Sequence, residues 1–335
     1  MAHLTTDLLP TQTPTEFAVA VRRAVELLRA GEVVALPTET VYGLAANALD
    51  PAAVAKIYAA KGRPAHNPII CHVAGRGLAQ RCVSAWPTVA EALADAFWPG
   101  PLTLVLPRAA VIPDIVTAGG DTVGIRWPNH PFMRAVIEAC DFPLAAPSAN
   151  LSNQLSPTSA LHVQRQLAGR IPLIVDGGAS QVGIESTVVD VSVSPPRLLR
   201  PGMIHEAALL AVTGELARGE TAGVLRSPGL LKKHYSPRAR LLLLSWSGAD
   251  DLKAQLATRG ITASQTSVLA RTQVSGAEGF QRLAALPRDP ENFARALYAE
   301  LHAADSLGGD WIVVEAPPEQ PAWQAIRDRL NRAAA

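Results

Sequence analysis

Three polar clusters in apolar surroundings hold the residues best suited to chemistry. The first is Lys61-Gly62-Arg63-Pro64, with Asn67 and His72 close behind. Lysine is scarce, five against 25 arginines, so the position of each one matters. Lys61 falls at the end of a predicted helix, where a cation commonly serves the last carbonyls. Arg63 lies beyond the glycine stop, where capping does not need it. Two cations on a short rigid loop suit a polyphosphate in a chain that lacks a P-loop. His72 stands among Ile69, Ile70, Cys71 and Val73. A lone histidine there is more often a satisfied core residue than a ligand contact.

The second cluster is Ala145-Ala146-Pro147-Ser148-Ala149-Asn150. Its small residues admit a ligand close to the backbone, and Ser148 and Asn150 alternate as donors and acceptors. A turn after a strand has the same composition, and the spacing does not separate the two readings. The third is Gly183-Ile184-Glu185-Ser186-Thr187-Val188, followed by Leu198-Leu199-Arg200-Pro201-Gly202. Ser186 opens a strand, where a hydroxyl often only caps. Arg126 and Arg200 each end an apolar strand, a usual place for ligands in α/β folds. Few acids are close to them in sequence, which leaves room for a carboxylate or phosphate ligand. GxxxxGK(S/T), post-strand GxGxxG, HExxH and GxSxG patterns are all missing, so nucleotide chemistry would use another arrangement.

The elements that position these residues follow from capping and periodicity. Thr13, Pro14 and Glu16 form a capping box before Phe17, Val21, Val25 and Leu28, and Gly31 ends that helix. Asp50-Pro51 starts a second helix through Ala60, with Gly62 as its stop. Strands are predicted at 33–36, 69–73, 102–106, 122–126, 173–175 and 187–191, and Ser156-Pro157 is read as a helix opening. Irregular interleaving predicts a mixed sheet. The stretch 213–237, rich in Gly and Pro, reads as a linker. Beyond it, strands at 240–244, 267–270 and 311–315 alternate with helices at 250–257, 290–304 and 321–333, as in a small doubly wound domain.

Composition narrows the class. The chain has 335 residues, 48% apolar and 18% charged, enough for two cored domains and incompatible with disorder. With 30 basic and 29 acidic residues, no net field draws it to nucleic acid or anionic lipid. The longest apolar runs, such as Leu241–Leu244, are strand-sized, and the N-terminus does not read as a signal peptide. Cys71, Cys82 and Cys140 are odd in number and include no CxxC pair, which argues for a reducing, cytoplasmic setting and against a zinc site.

Taken together, the segments resemble a known family. Lys61-Gly62-Arg63 with Ser148-Ala149-Asn150 resembles the KxR…SxN signature of YrdC-like domains. Pro37-Thr38-Glu39-Thr40-Val41-Tyr42-Gly43-Leu44 and Phe97-Trp98-Pro99-Gly100-Pro101-Leu102-Thr103 resemble two further hallmarks. Ser227-Pro228-Gly229 with His234-Tyr235-Ser236-Pro237 is similar to the linker of the two-domain threonylcarbamoyl-AMP synthases. Leu230-Leu231-Lys232-Lys233 departs from the usual linker composition.

The resemblance implies a YrdC-like mixed twisted sheet over residues 1–205, a linker or lid over 206–238 and a small Rossmann-like domain over 239–335. It implies synthesis of threonylcarbamoyl-AMP and pyrophosphate from L-threonine, bicarbonate and ATP, with Mg²⁺ arriving on ATP and no protein-held metal. A tRNA threonylcarbamoyl transferase complex would receive the product. Thr40, His72, Arg126, Ala146 and Ser186 would hold L-threonine, with Arg126 on its carboxylate. Lys61, Arg63, Asn67, Thr122, Ser148, Asn150, Ser156, Arg200, His234 and Tyr235 would surround the nucleotide, with Lys61 and Arg63 supplying catalytic charge. The competing expectation is a YrdC-like module that binds RNA without ATP chemistry. The balance of 15 basic and 15 acidic side chains over residues 1–205 argues against it.

Overall fold

Helix α1 (Pro14–Arg29) begins at its capping box. Glu16 N donates to Thr13 Oγ1 at 3.2 Å and Thr13 N donates to Glu16 Oε2 at 2.8 Å, so two donors left over at a helix start are satisfied. The computed structural model describes residues 4–64, 66–218, 235–272 and 278–335. The chain divides into two units, residues 1–152 with 156–230, and residues 153–155 with 231–335.

In the first unit the strands are β1 (Asp7–Pro10), β2 (Val34–Leu36), β3 (Gly43–Asn47), β4 (Cys71–His72), β5 (Leu102–Pro107) and β6 (Thr122–Arg126). They continue with β7 (Leu144–Ala145), β8 (Leu173–Asp176), β9 (Thr187–Asp190), β10 (Arg197–Arg200) and β11 (Ala217–Arg218). They form one mixed sheet in the order β1-β8-β2-β3-β7-β4-β6-β5-β9-β10-β11. The further helices are α2 (Pro51–Lys61), α3 (Arg76–Arg81), α4 (Thr88–Phe97), α5 (Asp114–Thr117), α6 (Pro131–Cys140), α7 (Ala160–Leu167) and α8 (Glu206–Thr213).

Two apolar clusters fill the space around this sheet. In one, Leu28 of α1 and Phe132 and Val136 of α6 pack with Val34 and Leu36. Phe17 meets Phe132 edge to face at 5.2 Å. In the other, Val54 and Ile57 of α2, Leu93 of α4 and Val163 of α7 pack with Ala35, Leu104 and Ile125. Leu102, Leu104 and Leu106 of β5 pack in the second of these and Val105 against Val188 and Leu199, so both faces are buried and the strand reads as a nearly continuous apolar run.

Two expectations need correction. The run 69–73 forms a ladder only at Cys71–His72. Ser156-Pro157 does not open a helix: α7 starts at Ala160 under the Ser159 N-cap, and Pro157 O instead accepts from Tyr42 N at 2.8 Å. Residues 206–218, at the start of the segment expected as a linker or lid, carry α8 and β11, and β11 pairs in parallel with β10.

The second unit is a parallel sheet of β12 (Arg240–Leu244), β13 (Thr266–Ala270), β14 (Arg282–Ala285) and β15 (Trp311–Glu315), in the order β12-β15-β13-β14. Helices α9 (Ala249–Thr258), α10 (Pro290–Asp305) and α11 (Gln324–Ala333) accompany it. β14 escaped the sequence reading because it is an edge strand without β-branched residues, alternately half-buried and exposed.

Candidate active site

Strand register places separated residues of the first unit in one row. His72 in β4 lies opposite Arg126 in the parallel strand β6. β5 runs antiparallel to β6 with Leu104 opposite Ile125, so Thr103 carries the row past Arg126. Thr103 then faces Val188 in β9, and Val188 faces Arg200 in β10. Neighbouring strands lie about 4.8 Å apart, so the row crosses the sheet in single-strand steps.

Arg126 is 4% exposed. It donates from Nη1 to Thr40 Oγ1 at 2.8 Å and from Nε to Gly100 O at 3.3 Å. Its Nη2 lies 2.8 Å from Glu39 Oε1. Few acids lie near Arg126 in sequence, yet folding supplies one: Glu39, distant along the chain and invisible to local counting. The loop carrying Glu39 and Thr40 is held from within and without. Thr38 Oγ1 donates to Val41 O at 2.6 Å and accepts from Thr40 N at 3.2 Å. Val182 N donates to Glu39 O at 2.7 Å, and Gly183 N to Thr40 O at 3.1 Å.

His72 is buried, and its Nδ1 has no hydrogen-bond partner. Burial, then the charge of Arg126, lowers its pKa from 6.5 to about 3, so the ring is neutral near pH 7. An unpaired ring nitrogen separates it from a satisfied core histidine. The unfolded chain takes up this proton at a higher pH than the folded one, so acidification costs stability. Unfolding free energy measured with urea should fall between pH 6.5 and about 3, with this group contributing up to about 1.4 kcal/mol per pH unit. His72→Gln should flatten the profile; an unchanged slope would refute the assignment.

Lys61 ends α2 but does not serve that helix's carbonyls. Gly62, left-handed at φ +58°, takes the C-cap position. The Lys61 Nζ turns inward and donates to Ser148 O at 2.5 Å and Asn150 O at 2.6 Å. The side chain is buried, and burial followed by the Arg63 charge pulls its pKa well below the usual lysine value. The two carbonyl acceptors work in the opposite sense, favouring the ammonium. Two of its three N–H donors are engaged, which leaves one for a ligand.

Arg63 uses part of its fork on its own loop, donating from Nε to Asn67 O at 3.2 Å and from Nη2 to Pro68 O at 2.8 Å. Tyr58 Oη holds the same loop by donating to Asn67 O at 3.1 Å and lies 2.9 Å from Ile115 O. Asn67 is 1% exposed, yet neither Nδ2 nor Oδ1 has a hydrogen-bond partner. A buried amide in that state is rare in a finished core and common where a ligand completes the bonding.

On the far side of the row, Ser186 Oγ lies 2.8 Å from Thr103 Oγ1 and accepts from Arg200 Nη2 at 3.1 Å. Arg200 Nε also donates to Ser186 O at 3.1 Å. The Ser186 hydroxyl therefore orients a guanidinium as well as marking a strand start. Ser156 Oγ donates to the buried Glu185 Oε1 at 2.5 Å. Gly202 passes so close to β9 that a Cβ would lie 2.6 Å from Thr187 Oγ1. Gly202→Ala should therefore destabilise the chain by about 1–3 kcal/mol in denaturant titration, a cost that an unshifted midpoint would disprove.

The remaining assignments fall as follows. Ala146 N donates to Ile70 O at 3.0 Å, one residue from the β4 ladder. Ser148 bridges to Gly43. Thr122 stands at the other end of β6 from Arg126, about 13 Å away at strand rise. Tyr235 lies in the second unit, 1% exposed and left-handed at φ +62°. Its ring packs 6.1 Å from that of Tyr298 and beneath the Arg329 guanidinium at 5.5 Å. His234 and the 230–233 segment lie outside the described residues. Glu39, Thr103 and Glu185 are not among the expected site residues, although each stands inside a quoted segment, Pro37–Leu44, Phe97–Thr103 and Gly183–Val188. Among the described residues no group of three or more His, Cys, Asp or Glu is placed to hold a metal.

Sheet order and the row of strand-end side chains define a YrdC-like α/β protein with a second, parallel-sheet unit. Residues 26–202 match a family model described as "Telomere recombination", and residues 202–335 match one described as "Threonylcarbamoyl-AMP synthase, C-terminal domain". The chain is 39% identical to the threonylcarbamoyl-AMP synthase of Pyrococcus abyssi, over 93% of each sequence. It is also 39% identical to that of Bacillus subtilis, covering 98% of this chain and 95% of the relative. The crystal structure of P. abyssi Sua5 complexed with L-threonine matches it with a TM-score of 0.89 at 37% identity, over 98% of both chains. The chain belongs to the threonylcarbamoyl-AMP synthase family.

Proposed function

We infer that the chain is a threonylcarbamoyl-AMP synthase, a nucleotidyltransferase acting in tRNA modification. The observation that carries this reading is the Lys61 ammonium, which ties the KxR segment to the SxN segment through the carbonyls of Ser148 and Asn150. A motif split across the sequence is thereby one physical unit, in a chain whose full length matches enzymes of this activity.

The proposed substrates are L-threonine, bicarbonate and ATP, with Mg²⁺ entering on the triphosphate. Thr40, His72, Arg126, Ala146 and Ser186 would contact L-threonine, with the Arg126 N–H groups left over from Thr40, Gly100 and Glu39 meeting its carboxylate. Lys61, Arg63, Asn67, Ser148, Asn150, Ser156 and Arg200 would contact the nucleotide near its phosphates, and Thr122 a more distant part of it. The deprotonated threonine amine would attack the carbon of bicarbonate, forming the C–N bond as water leaves, to give a carbamate. A carbamate oxygen would then attack the α-phosphorus, and pyrophosphate would leave. Positioning and charge stabilisation at phosphorus, from Lys61, Arg63 and Arg200, suffice for such a step without a covalent nucleophile.

We divide the chain into a catalytic domain over 1–205, a connecting segment over 206–238 and a small domain over 239–335. The meeting of the two family matches at residue 202 supports that division, and the connecting segment opens with α8 and β11. We place the protein in the cytoplasm, supplying a tRNA threonylcarbamoyl transferase; its three cysteines are free and buried. Pyrophosphate release by the purified full-length chain tests the reading. Release should require L-threonine; equal release without it, or none with it, would overturn the assignment.

A further inference from the structure

The seat around Arg126 contains a carboxylate with an unused oxygen. Glu39 is 6% exposed. Its Oε1 is engaged twice, by Arg126 Nη2 at 2.8 Å and by Asn129 N at 3.0 Å. Its Oε2 is buried and has no hydrogen-bond partner. A carboxylate oxygen withdrawn from water without a donor costs more than most polar groups, so its presence calls for a cationic or N–H partner. The backbone beneath it is fixed by Val182 N on its own carbonyl and Gly183 N on the next, and the carboxylate itself by Arg126 and Asn129.

The pair Glu39–Arg126 is neutral as a whole and dipolar across a few ångströms. A dipolar seat of this kind matches a zwitterion better than an anion. One end offers leftover guanidinium N–H groups to a carboxylate, and the other offers a free carboxylate oxygen to an ammonium. His72, neutral and with a free Nδ1, lies on the neighbouring strand and adds no competing positive charge.

We propose that Glu39 Oε2 binds the α-ammonium group of the amino-acid substrate, so that Glu39 and Arg126 together select a zwitterionic α-amino acid. The proposal rests on the assignment of this seat to L-threonine. It gives Glu39 a direct contact with substrate in addition to its hold on Arg126.

Calorimetric titration of the full-length chain separates the two roles. The ligands are L-threonine and 3-hydroxybutanoate, which keeps the carboxylate and hydroxyl and lacks the ammonium. The unmodified chain should bind L-threonine and strongly prefer it to the analogue. Glu39→Gln should weaken L-threonine about 10- to 100-fold while leaving the analogue unchanged or improved. Glu39→Asp, which keeps the charge on a shorter arm, should retain part of the preference and serves if the Gln variant does not fold. Equal loss of both ligands would mean that Glu39 acts only through Arg126, and undiminished L-threonine binding would also overturn the proposal. If the unmodified chain binds no L-threonine at all, the assignment of the seat itself fails, a different result from binding that does not depend on Glu39.

Discussion

Lys61→Ala is expected to lower L-threonine-dependent pyrophosphate release about 10²- to 10³-fold, the scale on which one well-placed charge-stabilising donor acts. The structure attaches a second consequence to the same change. The ammonium donates to two carbonyls, the half-buried Ser148 O and the buried Asn150 O, in the loop that would face the nucleotide. Without it Asn150 O loses this bond and Ser148 O keeps only the Asn150 N donor at 3.0 Å, a cost of about 1–3 kcal/mol. The variant should therefore show a lowered urea midpoint as well as a lost rate. The two effects separate because a folded fraction is measurable by circular dichroism at the assay temperature. A rate that falls only in proportion to the unfolded fraction would reduce Lys61 to a structural tie, and a rate equal to the unmodified chain would remove it from the site.

The other large effect is expected at Arg126. Arg126→Ala leaves the buried Glu39 carboxylate without its counter-ion, a loss of about 3–5 kcal/mol for a pair this enclosed. It also removes the only guanidinium donating to Thr40 Oγ1 among the described residues. L-threonine use should be abolished at any attainable concentration. Removing both members isolates the cause, since neighbours in one ion pair do not behave additively. Arg126→Ala combined with Glu39→Ala should recover much of the lost stability and none of the activity. Recovery of activity in the double variant would show that Arg126 serves only to neutralise Glu39.

Much of this arrangement is legible in the chain itself, for reasons tied to particular residues. The capping box at Thr13 and Glu16, the left-handed stop at Gly62 and the apolar runs at 104–106 and 241–244 are local signals, and local structure follows them. Glu39 is the instructive failure. Counting acids around Arg126 along the sequence found few, because the partner comes from a loop between β2 and β3 and is joined to β6 only by tertiary folding. Ser156-Pro157 misled for a related reason. It carries a helix-start composition, but the Ser156 hydroxyl is engaged by Glu185 and the Pro157 carbonyl by Tyr42, and the helix begins later at its own cap. For His72 the sequence shows only a histidine among apolar residues, and folding adds a buried Nδ1 without a hydrogen-bond partner, which no local pattern signals.

One measurement bears most directly on the claim that these strand ends and loops form a single catalytic seat. The purified full-length chain is incubated with ATP, bicarbonate and L-threonine, and its nucleotide products are resolved by mass spectrometry. Threonylcarbamoyl-AMP should accumulate in step with pyrophosphate, and Arg126→Ala should form none. Unchanged ATP in the presence of folded protein, or AMP or ADP without the threonylcarbamoyl adduct, would contradict it.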